Sequence, residues 1–150
     1  MEKMVITDVS ELKEVVQKVL EEVEQRQNTG NACILALHGN LGAGKTTFTQ
    51  TLARALGVEE MVTSPTFVIM KGYELSNQPF EKLIHIDAYR IEEIDEMRVL
   101  GFGSLLAEKG TIMCIEWAEN IAELLPVNTI HVRFEIDQEK RIITIENGNS

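Results

Sequence analysis

The sequence predicts an α/β fold of three layers, with a mostly parallel central sheet, helices on both of its faces and antiparallel strands at its edges. Apolar runs typical of buried strands alternate along the chain with amphipathic stretches typical of helices. The last two apolar runs follow each other without a helix between them, which predicts a hairpin at a sheet edge. The length of 150 residues and the hydrophobic share of 44% fit one domain spanning residues 1–150.

The amino-terminal part of the chain predicts a strand, a long helix and a second strand. Residues 5–7 predict a short strand, and Asp8 followed by Glu11 resembles a capping box at a helix start. Residues 33–37 read as a buried strand, after a break at residues 27–31. Between them, apolar residues recur at spacings of three and four, which predicts a helix facing the core through Leu12, Val15, Val16, Val19, Leu20 and Val23.

The rest of the chain continues the alternation. A helix with Phe48, Leu52, Ala55 and Leu56 on one face is expected to end at Gly57. Strands are predicted at residues 67–75, 82–86 and 111–117, and the final hairpin at residues 130–136 and 141–146. The remaining stretches predict a helix at 91–106, interrupted by Gly101 and Gly103, and a short helix at 118–125 that ends before Pro126.

Charge and composition exclude several classes of function. The net charge is −10 and the basic residues do not cluster, whereas a protein that grips nucleic acid directly needs a basic surface. No apolar run approaches the roughly 20 residues that span a bilayer. Cys33 and Cys114 lie in apolar runs without metal-ligand spacing, so we expect buried free thiols. With no secretory stretch at the amino terminus, the sequence predicts a cytoplasmic protein.

The stretch Gly39-Asn40-Leu41-Gly42-Ala43-Gly44-Lys45-Thr46 fits a phosphate-binding loop. Glycines allow successive backbone N–H groups to face an anion, and the following helix directs its positive end toward the same place. In such a loop Lys45 contacts the β- and γ-phosphates and the Thr46 hydroxyl can bind magnesium. Because a predicted strand precedes the loop and a predicted helix follows it, the sequence predicts a P-loop NTPase fold.

Two acids and one threonine are candidates to complete the site. Asp87 and Glu116 each end an apolar run, and the carboxyl ends of strands in an open α/β sheet face the ligand. We therefore predict that they form the metal and water apparatus. Thr66, in Ser64-Pro65-Thr66, is either a switch threonine that senses the γ-phosphate or part of a proline turn. His85 is expected to be a hydrogen-bonded core histidine.

Four segments in this order resemble the TsaE family, also called YjeE. They are residues 38–48 around the loop, then Ser64-Pro65-Thr66-Phe67, then His85-Ile86-Asp87-Ala88-Tyr89-Arg90, then Ile115-Glu116-Trp117. The family comprises small bacterial P-loop ATPases of tRNA threonylcarbamoyladenosine formation. The resemblance implies an ATPase that binds the TsaB–TsaD complex and resets it by ATP hydrolysis, so that tRNA is contacted only through that complex.

The resemblance also implies roles for individual residues, with ATP and Mg²⁺ as cofactors. Thr46 and Glu116 would hold the magnesium, Lys45, Asp87 and Glu116 would act in hydrolysis, and Trp117 would belong to a switch region. The adenine would lie between the strand–helix junction near Thr7 and Asp8 and the hairpin near Lys140 and Arg141. The residues implied in holding the nucleotide are Leu41, Gly42, Ala43, Gly44, Lys45, Thr46, Thr47, Thr66, Asp8 and Arg141.

Three other functions share parts of this pattern. A P-loop small-molecule kinase would use the same loop, but such kinases carry an arginine-rich lid and this chain has no arginine cluster. A signalling GTPase would need an Asn-Lys-x-Asp sequence, which is absent. A nucleotide-sensing module that does not hydrolyse would leave Asp87 and Glu116 with structural roles. The kinase is the main alternative.

Overall fold

The computed structural model describes residues 2–25, 31–39, 44–59, 70–76 and 80–147. The strands are β1 (Glu2–Ile6), β2 (Cys33–His38), β3 (Met70–Glu74), β4 (Lys82–Asp87), β5 (Thr111–Glu116), β6 (Ile130–Asp137) and β7 (Lys140–Asn147). The α-helices are α1 (Leu12–Glu24), α2 (Lys45–Ala55), α3 (Asp95–Val99) and α4 (Phe102–Leu106). Short 3₁₀ helices span Val9–Glu11 and Ala118–Leu124. No helix within these ranges is both long and apolar enough to cross a membrane.

The strands form one mixed sheet in the order β1-β7-β6-β2-β5-β4-β3. The four central strands, β6, β2, β5 and β4, are parallel, and the pairings on either side of them are antiparallel. The predicted α/β class and parallel centre are confirmed. The final hairpin, however, does not lie at the edge as predicted, because β1 pairs with β7 and takes that position. Pairing between the two ends of the chain is a long-range contact that local sequence patterns do not carry.

Two apolar cores lie on opposite faces of the sheet. On β2, Leu35 and Leu37 belong to the core beneath α1 and α2, whereas Ile34 and Ala36 belong to the core beneath α3, α4 and the 3₁₀ helix Ala118–Leu124. A strand buried on both faces reads as a continuous apolar run. Burial on both faces explains why β2 is recognisable from composition alone. The helices packed on the two faces of the sheet form the predicted three layers.

The two longer helices show where periodicity predicts burial and where it does not. All six apolar residues predicted to face the core from α1 are buried. On α2, Phe48 and Leu52 are buried as expected, but Ala55 is exposed and Ala53 is buried instead. The buried face is rotated toward Thr49, whose hydroxyl donates to the Lys45 carbonyl at 3.0 Å. The apolar pattern of the sequence does not show this rotation, because Thr49 is a polar residue that is buried with its hydroxyl bonded within the helix.

The helix predicted at residues 91–106 is two short helices, α3 and α4. The chain turns between them at Gly101, whose φ of 80° is favoured by glycine. Gly103, the second predicted interruption, lies inside α4. The break therefore occurs where the backbone needs a left-handed conformation, and a glycine with ordinary helical angles does not end the helix.

Candidate active site

The candidate site lies where α2 begins, at the carboxyl ends of β2, β5 and β4. Gly44 directly precedes α2 with φ of 107°, a conformation that strains side chains with a Cβ. The predicted phosphate-binding residues Gly44, Lys45, Thr46 and Thr47 are thus at or just before the first turn of a helix. Leu41, Gly42, Ala43 and Thr66, also predicted to bind nucleotide, lie outside the described residues.

Lys45 is buried at the start of α2, with 4% of its surface exposed. Its ammonium donates to the Gly39 carbonyl at 2.7 Å and lies 3.9 Å from the centre of the Trp117 ring. Burial lowers the pKa of Lys45, and the nearby carboxylates of Glu119, Glu116 and Asp87 oppose that shift. The cation therefore lies between a carbonyl and an aromatic face, at the place where the loop pattern puts the phosphate-binding lysine.

Glu116 is the second centre of the site, and it is almost fully buried at the end of β5. Its Oε1 accepts a hydrogen bond from the Thr46 hydroxyl at 3.0 Å. Its Oε2 lies 2.6 Å from His85 Nε2 on β4. His85 is a buried, hydrogen-bonded histidine as predicted, and its partner is the carboxylate that the sequence singled out as a functional acid.

The second acid, Asp87, pairs in register with Glu116 across the parallel β4–β5 ladder. Both carboxylates therefore emerge at the same sheet edge, as the rule for strand ends anticipates. Asp87 is half-buried, and its Oδ1 accepts from the Tyr89 backbone N–H at 3.0 Å. That bond fixes the side chain close to the strand end.

The donor set at this edge fits a magnesium ion. Mg²⁺ prefers hard oxygen ligands and is usually bound by one or two protein groups together with substrate phosphates and water. The Thr46 hydroxyl and the Glu116 carboxylate supply two such oxygens, hydrogen-bonded to each other. Among the described residues no group of three or more His, Cys, Asp and Glu side chains could hold a metal alone. A magnesium ion held by these two groups would complete its coordination with oxygens of water or of a phosphate.

Trp117 covers one side of Lys45 in an unusual backbone conformation. Its φ of 58° is left-handed, which costs a bulky residue on the order of 1 kcal/mol. The ring contacts Tyr89, with 4.9 Å between ring centres. Asn120, three residues on, donates to the Ala88 carbonyl at 2.9 Å and so joins the 3₁₀ helix to the segment after β4. Strain of this kind is maintained only by surrounding contacts and is often found at functional sites.

A cleft of about 190 Å³ adjoins the first turn of α2. Four predicted nucleotide-binding residues line it together, namely Asp8, Gly44, Thr47 and Arg141. Asp8 also accepts from the Ser10 backbone N–H at 3.0 Å and so caps the 3₁₀ helix Val9–Glu11. From the hairpin, Glu139 and Arg141 line the cleft, whereas Lys140 is not among its lining residues. Sequence patterns did not indicate a role for Glu139 in the site.

Most of the chain is similar to a known protein family. The model of the family described as "Threonylcarbamoyl adenosine biosynthesis protein TsaE" matches residues 6–143. The chain belongs to the TsaE family. The matched range runs from the end of β1 into β7 and so includes every element that builds the site.

Two relatives named "tRNA threonylcarbamoyladenosine biosynthesis protein TsaE" show how far the likeness extends. That of Bacillus subtilis (strain 168) is 40% identical over 118 residues, which cover 77% of this chain and 71% of the relative. That of Aquifex aeolicus (strain VF5) is 34% identical over 139 residues, 91% of this chain and 92% of the relative. The crystal structure of Bacillus subtilis YdiB matches with a TM-score of 0.71 and 28% identity, covering 99% of this chain and 86% of that one.

One feature of this TsaE-family chain was missed from the sequence: a pair of histidines beside the loop. His38 Nε2 and His131 Nδ1 are 2.8 Å apart, and their rings stack with centres 5.0 Å apart. Burial lowers the pKa of His38 to about 4, and charge repulsion from Arg133 and His131 contributes to this shift to a smaller extent. The position of His38 directly before Gly39 was visible in the sequence, but its partner lies 93 residues away.

Acidification is expected to destabilise the fold through His38. The folded protein binds this proton more weakly than the unfolded chain, so the stabilising contribution is complete above about pH 6.5 and is lost toward pH 4. Between pH 7 and pH 5 the contribution falls by about 2 kcal/mol. Urea unfolding at both pH values should show a loss smaller by that amount in His38→Gln. An unchanged loss in the variant would contradict the assignment.

Proposed function

We propose that this TsaE-family chain is a single-domain, Mg²⁺-dependent ATPase that acts in the threonylcarbamoylation of adenosine 37 of tRNA. It binds the TsaB–TsaD complex and resets that complex by hydrolysing ATP. The observation that carries the proposal is the bond between the Thr46 hydroxyl and Glu116 at 3.0 Å, at the first turn of a helix that begins with a buried lysine. Groups suited to bind phosphate and groups suited to bind a metal ion therefore lie together at the start of α2.

The chemistry divides among the residues of this edge. Lys45 and the backbone N–H groups at the start of α2 bind the phosphates. Thr46 and Glu116 are the groups that would hold Mg²⁺, which neutralises charge on the phosphates when bound. Asp87, adjacent to Glu116 across the ladder, is suited to orient the attacking water. The neighbouring cleft, lined by Asp8, Thr47 and Arg141, is where we place the adenosine.

The charge of the chain supports an indirect relation to tRNA. The relatives carry the name of a tRNA modification, yet this chain has a net charge of −10, which opposes direct contact with phosphodiester backbones. A protein complex that itself holds the tRNA resolves this conflict. We therefore propose that TsaB–TsaD is the direct partner, and that the protein works in the cytoplasm.

ATP turnover measured with Mg²⁺, with and without purified TsaB–TsaD, tests the proposal. We expect slow turnover by the isolated chain and a rise of about tenfold or more with the complex, since P-loop hydrolases commonly need a partner to complete the site. The rise should be absent when Lys45→Ala replaces the unmodified protein.

Two results would contradict the proposal. Turnover that is indifferent to TsaB–TsaD would remove the partner from the mechanism. ATP consumption that requires an added small-molecule hydroxyl acceptor, with stoichiometric phosphorylation of it, would favour the P-loop kinase. TsaB–TsaD mixed with an inert protein in place of this chain is the control for ATP turnover that does not come from this chain.

A further inference from the structure

Two different elements hold the two oxygens of Glu116. Thr46, on α2, donates to Oε1 at 3.0 Å, and His85, on β4, contacts Oε2 through Nε2 at 2.6 Å. Thr46 is half-buried at the mouth of the site, whereas His85 has no exposed surface. One carboxylate oxygen is therefore hydrogen-bonded to Thr46, which can contact a ligand, and the other contacts His85 in the interior of the protein.

The hydrogen bonding of the His85 ring follows from its two nitrogens. Nδ1 is buried and has no hydrogen-bond partner within the part of the chain that the structure describes. A carboxylate accepts, so Nε2 must carry the hydrogen that points at Glu116. With the hydrogen on Nε2, the unpaired atom is a lone pair and not a buried N–H, which is the less costly arrangement. The ring thus directs its one donor at Glu116.

This arrangement matters when the Thr46 hydroxyl is engaged by a metal. A carboxylate held by Thr46 alone would lose its orientation whenever that hydroxyl turned toward a new ligand. The bond from His85 does not depend on Thr46, because it comes from a buried position on a central strand paired to β5. Partners of this type, behind a metal-binding group, set its orientation and its basicity.

We propose that His85 is a positioning residue that keeps Glu116 aligned with Thr46 for the binding of magnesium with nucleotide. The inference rests on the proposed function and deepens it. His85 contacts Glu116 and not the reactants, so its effect passes through that carboxylate. Loss of the donor should impair magnesium use and the hydrolytic step much more than the binding of ATP.

Three variants separate the donor from the space that the ring fills. The glutamine nitrogen of His85→Gln can reach the position of Nε2, the asparagine nitrogen of His85→Asn reaches only that of Nδ1, and His85→Leu fills space without a donor. One readout is the Mg²⁺ concentration that gives half of the change in Trp117 fluorescence with a non-hydrolysable ATP analogue; Trp117 is the only tryptophan. The others are kcat and the KM for ATP at saturating magnesium.

We expect His85→Asn and His85→Leu to raise the half-saturating Mg²⁺ concentration and to lower kcat by about 10- to 100-fold. The KM for ATP at saturating magnesium should change by less than about threefold. His85→Gln should remain within about threefold of the unmodified protein in both quantities. Equal impairment of all three variants would show that the ring only fills space, and three variants without effect would also overturn the proposal.

A measurement on the unmodified protein keeps the test decisive if the variants do not fold. Long-range ¹H–¹⁵N spectra report which ring nitrogen carries the hydrogen, and His38→Gln and His131→Gln assign the three histidines by elimination. Hydrogen on Nε2 of His85 supports the proposal, and hydrogen on Nδ1 overturns it. This readout needs neither nucleotide nor turnover, so absent ATP hydrolysis would count against the proposed function without deciding the role of His85.

Discussion

Lys45→Ala is expected to lower the affinity for ATP on the order of 100-fold, which would abolish turnover at ordinary ATP concentrations. In the proposed role the ammonium donates charged hydrogen bonds to the phosphates, each worth about 1.5–3 kcal/mol. In the structure the ammonium contacts the Gly39 carbonyl and the Trp117 ring at the start of α2. Calorimetric titration with Mg–ATP measures the loss directly.

Trp117 provides a second readout of the same change. Because the ammonium lies 3.9 Å from the ring centre, ATP that draws Lys45 away should alter the tryptophan emission, and Lys45→Ala should abolish that response. Lys82→Ala is the matched control: Lys82 begins β4 at the opposite end of the strand from Asp87 and pairs with Glu108 at 3.4 Å. Equal ATP affinity in Lys45→Ala and the unmodified protein would remove this lysine from the site.

Glu116→Gln is expected to reduce kcat by about 100-fold or more while leaving ATP bound. The amide keeps the size of the side chain but loses the charge that would hold a magnesium ion. Glu116→Ala should also lose hydrolysis, and in addition it leaves the His85 and Thr46 donors without an acceptor. An unpaired buried donor such as His85 costs about 1–3 kcal/mol, so the alanine variant should be less stable than the glutamine variant.

The loss of hydrolysis is measured by the rate of phosphate release, and the loss of stability is measured separately by thermal unfolding. Glu146→Gln is the control for loss of an acidic charge, because Glu146 pairs with Arg133 at 3.1 Å on the final hairpin, outside the donor set of Thr46 and Glu116. If Glu116→Gln turned over ATP at the unmodified rate, the carboxylate would be structural. The nucleotide-sensing alternative would then gain support.

Local patterns predicted most of the elements, since their physical causes are local. The stripe on α1 and the continuous apolar runs of β2 and β5 follow from periodicity and burial within single segments. The errors arose where a distant part of the chain intervenes. The placement of β1 beside β7 depends on both ends of the chain, and the rotation of α2 toward Thr49 depends on Cys114 beneath it, 3.4 Å from the hydroxyl.

The same distinction holds within the candidate site. The loop pattern and the position of Asp87 and Glu116 at strand ends were sufficient to name these residues, because a residue type and its neighbours are visible in sequence. The contact between His85 Nε2 and Glu116 Oε2 was not visible in the sequence, since residues 31 positions apart meet only through the parallel β4–β5 ladder.

By itself, the sequence determined the α/β class, the match to the phosphate-binding loop pattern and the resemblance to the TsaE family, because each depends on residue types at short, fixed spacings. Only the tertiary structure decided three of the contacts at the site: Lys45 with Trp117, His85 with Glu116, and His38 with His131. These contacts form only when the strands pair and the helices pack on the sheet. A hydrogen bond requires its two atoms to lie a few ångströms apart in space, whatever their separation along the chain.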